Sequence, residues 1–92
     1  MKALTVFLLI GFVCHAQEGK KLAESCAACH GVNGKSTNPM WPNLAGQKKD
    51  YLIKQLHDFQ AGIRKNVMME PFSKTLSDKD IEALATHFSG LN

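Results

Sequence analysis

Valine is nearly absent from most of this chain: after residue 16 only Val32 and Val67 occur. No segment of useful length reads as a strand, which argues against a sheet-based domain. Prolines number three and glycines seven, without a repeat, and 45% of residues are hydrophobic, so collagen-like and disordered classes are excluded. No charge dominates either. Eleven Lys and Arg face eight Asp and Glu, for a formal +3, which gives no warrant for nucleic-acid binding. Long apolar runs are also missing, the longest being the 11 residues at 3–13, well short of the roughly 20 that a membrane-spanning helix needs. Neither an internal repeat nor a linker is evident. At 92 residues the chain makes one domain. A core of this size supplies only about 3–5 kcal/mol, so a covalent staple or a cofactor is expected.

Residues 1–16 read as a signal peptide. Lys2 is followed by the apolar run, and Cys14-His15-Ala16 places small residues at the third-last and last positions before a cut after Ala16. The expected mature domain is therefore 17–92, exported to the periplasm and without a membrane span; loss of Lys2 lowers the formal charge by one. An uncleaved anchor is the competing reading. A lipoprotein reading of Cys14 is disfavoured because Phe12-Val13 lacks the small residue that normally precedes a lipidated cysteine.

Cleavage leaves two cysteines, in the pattern Cys26-Ala27-Ala28-Cys29-His30. Such a pair could be a redox dithiol, half of a zinc site or a haem attachment, and the adjoining histidine separates them. Leu22, Ala23, Cys26 and Cys29 recur at helical steps, so the motif belongs on a helix. Residues three and four apart share a face. Both sulfurs can then form thioethers to the two vinyl groups of one haem while the His30 imidazole reaches the iron. Zinc would need a second pair of ligands, and no second C-x-x-C exists. A thioredoxin-type dithiol would need strands around it, which are not there.

For the opposite face of a haem the chain offers Met40, Met68 and Met69, or His57 and His87. The two histidines fall in expected helices. Met68-Met69 lies in a breaker-rich loop from Gly62 to Pro71 that could fold across the distal side. Residues 31–42 read as a loop. A helix is expected from about Lys48 to Ala61, with Tyr51, Leu52, Gln55, Leu56 and Phe59 on its core face and Gly62 ending it. The last helix begins at Ser77, capped with Asp80 in a variant capping box, presents Ile81, Leu84, Ala85 and Phe88, and closes at Gly90. The fold class is all-α: three main helices and loops wrapped around a cofactor.

Five segments in order now carry a resemblance: Cys26-Ala27-Ala28-Cys29-His30-Gly31, Pro42-Asn43-Leu44-Ala45-Gly46-Gln47, Tyr51-Leu52-Ile53-Lys54-Gln55-Leu56, Met68-Met69-Glu70-Pro71-Phe72, and Leu76-Ser77-Asp78 with Asp80-Ile81. From about Glu18 to Leu91 the chain resembles small bacterial class I c-type cytochromes, especially one haem-binding half of the dihaem periplasmic kind. The resemblance implies the class I cytochrome c fold and one covalent haem c on Cys26 and Cys29. It implies His30 and Met69 as axial iron ligands, Met69 lying seven residues before the leucine of the Leu-Ser-Asp motif. Pro42 would accept a hydrogen bond from the His30 imidazole through its carbonyl, and Gly19 would meet Phe88 where the first and last helices cross. The implied function is electron carriage between redox proteins. The alternative is a haem-bearing electron-transfer subunit of a dehydrogenase, such as a flavoprotein oxidising a sulfur compound; a gas sensor or peroxidase would require that no methionine bind.

Overall fold

The computed structural model describes residues 15–92, with side chains from 18 onward. The expected leader, apart from His15 and Ala16, lies outside the described residues. Helix α1 (His15–Leu22) runs into a 3₁₀ turn at Ala23–Cys26 and then α2 (Ala27–His30). The spacing predicts one α-helix through the cysteine segment; the chain instead tightens before Cys26. Ser25 supplies a cause, because its Oγ donates to the Leu22 carbonyl at 2.8 Å and competes for that acceptor. The backbone nevertheless stays in the right-handed region at Leu22, Cys26 and Ala27.

Gly31 ends α2 abruptly. Its φ is 86° and its ψ 150°, and a Cβ there would lie 2.1 Å from the Lys35 carbonyl oxygen. Only glycine tolerates both. The loop that follows returns to the body of the protein through Gly34, whose carbonyl accepts from Leu44 N at 2.8 Å and Ala45 N at 3.0 Å. Gly46 N then donates to Phe88 O at 2.9 Å.

Helix α3 (Lys49–Gln60) matches its expected bounds within a residue. It stops in a Schellman arrangement, with Gly62 at φ 70°, Gly62 N donating to Phe59 O and Ile63 N to Asp58 O. The expected loop of 62–71 is cut short by α4 (Met69–Lys74). Pro71 sits in the first turn of that helix, where the missing N–H has no intrahelical partner to lose. Asn66 Oδ1 accepts from Met68 N and Met69 N at 3.0 and 2.9 Å and so serves the start of α4.

Helix α5 (Asp78–Ser89) carries the expected capping box: Asp80 N donates to Ser77 Oγ and Ser77 N to Asp80 Oδ2, each at 3.0 Å. Gly90 closes it with φ −84°, an ordinary helical value that demands no glycine. Ile81, Leu84, Ala85 and Phe88 are buried, the last three joining Ala23 and Leu52 in one core. Burying this stripe between α1 and α3 drives the assembly. At the α1–α5 crossing, the atoms nearest a Cβ on Gly19 are Ala83 O at 2.1 Å and His87 Cβ at 2.7 Å, not the Phe88 ring. Ala83 and His87 are four apart and share the face toward α1, whereas Phe88 turns with Leu84 and Ala85 to line a cavity. The described residues thus form three helices of eight or more residues, two short ones and no strand, in an all-α fold.

Candidate functional site

A cavity of about 380 Å³ opens between the cysteine segment, α3, α5 and the segment leading to α4. Cys26, Cys29 and His30 line it together, so the shared placement expected of the motif survives the 3₁₀ turn. Met40, Met68 and Met69 line the same cavity; His57 and His87 do not. The α3 face expected to be core has a double use. Leu52 and Phe59 are buried, yet both, with Tyr51, Gln55 and Leu56, form a wall of the cavity, which Leu84, Ala85 and Phe88 of α5 extend. Trp41 also lines it.

His30 is buried, and its Nδ1 lies 2.8 Å from Pro42 O. A carbonyl oxygen only accepts, so Nδ1 carries the proton and donates. The lone pair of the neutral ring is then on Nε2, the tautomer a metal ligand needs, and the bond also fixes the ring plane.

Cys26 and Cys29 are free thiols in the structure. Burial pushes the Cys26 thiol above its ordinary value, with Cys29 adding slightly in the same direction and the Ser25 hydroxyl opposing. Among the described residues no cluster of three or more His, Cys, Asp or Glu side chains is placed to hold a metal ion by itself. The donor set therefore suits a metal that arrives inside an organic ring. Two thiols stand ready for thioethers, one imidazole whose Nε2 is left for the iron, and thioethers from methionine are available at the same cavity, with apolar walls to cover the ring.

Sequence pattern places Gln55 on the α3 face that becomes a cavity wall, but it does not reveal Arg64 and Asn66 as parts of the site's surroundings. Arg64 lines the cavity, its guanidinium carbon 4.7 Å from the Phe59 ring centroid and its Nη1 donating to Gln55 Oε1 at 2.7 Å. The spacing Asn66 to Glu70 is a signal present in the sequence, since Asn66 accepts from the start of α4 while its own N donates to Glu70 Oε2 at 3.3 Å.

The family model described as "Cytochrome c" matches residues 16–92. Cytochrome c4 of Pseudomonas aeruginosa is 42% identical over 74 residues, covering 80% of this chain and 37% of that protein. The thiosulfate dehydrogenase electron acceptor of Thiomonas intermedia is 45% identical over 71 residues, covering 75% of this chain and 32% of that protein. Among solved structures, reduced recombinant cytochrome c4 from Pseudomonas stutzeri superposes with a TM-score of 0.78 at 36% identity, over 85% of this chain and 48% of that one. This chain thus spans less than half of the length of each.

Proposed function

Because the chain belongs to the cytochrome c family, we propose that it is a periplasmic single-haem electron carrier with His30 and Met69 as axial ligands. A cytochrome c domain carries covalently bound haem c, and the Cys26/Cys29 pair followed by His30 is its attachment motif in this chain. Once attached, the haem supplies the ferrous/ferric couple, while the protein contributes ligands, burial and a docking surface. The observation that carries the reading is the His30–Pro42 hydrogen bond, which commits the ring to the tautomer that binds iron through Nε2. Met69 is the distal ligand by its spacing from Leu76, and its place at the cavity supports the assignment. Two protein ligands leave no position for a substrate, which favours a carrier over a gas sensor or a peroxidase.

Partner docking uses the apolar rim of the cavity, where Met40 is 83% and Met68 48% exposed. Small contacts of this kind allow rapid release. A mature charge lowered further by two haem propionates provides no strong steering field. The rate of electron transfer to a partner is expected to change less than tenfold between low and physiological salt; a larger fall would mean that complementary charges govern docking.

Expression of the full chain with haem-attachment machinery tests the main reading. Mass spectrometry is expected to show residues 17–92 plus one haem, and the ferric spectrum to contain the weak far-red sulfur-to-iron absorption. A mature product with two free thiols or a disulfide overturns the haem assignment. A product that retains residues 1–16 overturns the cleavage. The kinship to a thiosulfate dehydrogenase electron acceptor favours one second reading, an electron-transfer subunit of a dehydrogenase. Copurification with such an enzyme at fixed stoichiometry would establish it.

A further inference from the structure

The segment between α3 and α4 lines the distal side of the cavity through Arg64, Asn66, Val67 and Met68. Outside the cavity it buries little, Ile63 being 74% exposed. Polar fastenings are present at three points, one of them the Lys65 Nζ–Glu70 Oε1 ion pair to α4 at 3.8 Å. Arg64 ties the segment back to α3, through its charged hydrogen bond to Gln55 and its stacking over Phe59. Asn66 ties it forward to α4 through the amides of Met68 and Met69. Gln55 and Phe59 are themselves walls of the cavity, so the Arg64 tie anchors the segment to the site rather than to a remote surface.

We propose that Arg64 is a positioning residue for the distal ligand: its grip on Gln55 and Phe59 keeps the 63–69 segment closed and limits how readily an outside ligand reaches the iron. The inference rests on Met69 as the axial ligand. Arg64 does not touch the metal; it acts by shifting the balance between closed and open forms of the segment. A charge-assisted hydrogen bond and an exposed cation–π contact together change such an equilibrium by about tenfold.

The test is an imidazole titration of the ferric, haem-loaded protein, followed by loss of the far-red absorption. Arg64→Gln is expected to raise the apparent imidazole affinity about tenfold and to speed amide exchange at Met68 and Met69. Arg64→Lys, which keeps the charge but loses the planar group that stacks on Phe59 and forks toward Gln55, is expected to fall between. Lys74→Gln, the same charge change on an exposed lysine at the far end of α4, is expected to match the native protein. Equal affinities for the native protein and Arg64→Gln would overturn the strap. Equal effects of Arg64→Gln and Lys74→Gln would replace it with a general charge effect and so overturn it too. Absence of the far-red absorption from the native ferric protein would instead refute Met69 ligation, a different failure that the native spectrum alone reveals. Circular dichroism of each variant checks that the helices are intact.

Discussion

The two sides of the cavity are built on different physics. On the His30 side, the proposed ligand is buried, its neighbours in sequence supply both attachment points, and a glycine with no substitute turns the chain at the next residue. On the Met69 side, the proposed ligand sits at the start of a six-residue helix reached through a segment with polar ties to α3 and α4. In the first arrangement local covalent geometry and burial agree. In the second, on the proposal above, a few polar contacts made in competition with water keep the segment closed. A protein that must keep its cofactor permanently yet tune its iron has reason to put strength on one side and compliance on the other.

The largest expected effect comes from cutting the strong side. Replacing both Cys26 and Cys29 by Ala removes covalent attachment, and the small core then lacks the apolar surface that haem provides, so circular dichroism should show a largely unfolded chain. A cooperative melt with native-like helicity would place the strength in the helices instead. Gly31→Ala comes next, forcing a side chain onto φ 86° against the Lys35 carbonyl. A cost of about 3 kcal/mol is expected, read as a fall in melting midpoint of roughly 10 °C or more.

On the compliant side, Met69→Ala should abolish the far-red absorption of the ferric protein while costing less stability than Gly31→Ala. Met68→Ala should preserve that absorption, and the reverse pattern would shift the ligand by one residue. Ser73 of α4 is fully buried and its Oγ has no hydrogen-bond partner among the described residues. Ser73→Ala should therefore be neutral or raise stability by up to about 1 kcal/mol, measured by denaturant titration.

The smallest effect concerns the frame that both sides share. Burial, with Lys20 of α1 adding repulsion, holds the His87 imidazole below its ordinary value of 6.5. The unfolded chain then binds more protons than the folded one as pH drops below 6.5, so stability should fall through that range. His87→Gln should flatten this part of the pH profile without altering the spectrum.

Much of the strong side is legible in the amino-acid order. Cys26, Cys29 and His30 are consecutive enough that helical spacing alone puts them together, and the capping box at Ser77 and the stop at Gly62 follow from local chemistry. The compliant side is less legible. Pro71 reads as a breaker because proline disrupts helix interiors, yet it occupies a first turn, where its missing N–H breaks no bond. Likewise Gly19 faces Ala83 and His87 because the rotation of α5 is set by Phe88 turning to the cavity, a choice made by packing.

What the amino-acid order determined by itself was chiefly what partners within about one helical turn decide: the attachment motif, the capping box and the helix faces. Tertiary structure decided the relations between distant residues. The resemblance anticipates the Pro42–His30 contact, yet Pro42 O reaches His30 only because the loop returns through Gly34, and Arg64 reaches Gln55 only because α3 ends in a tight reversal. Such contacts depend on how several elements settle against one another at once, and no local spacing encodes that sum.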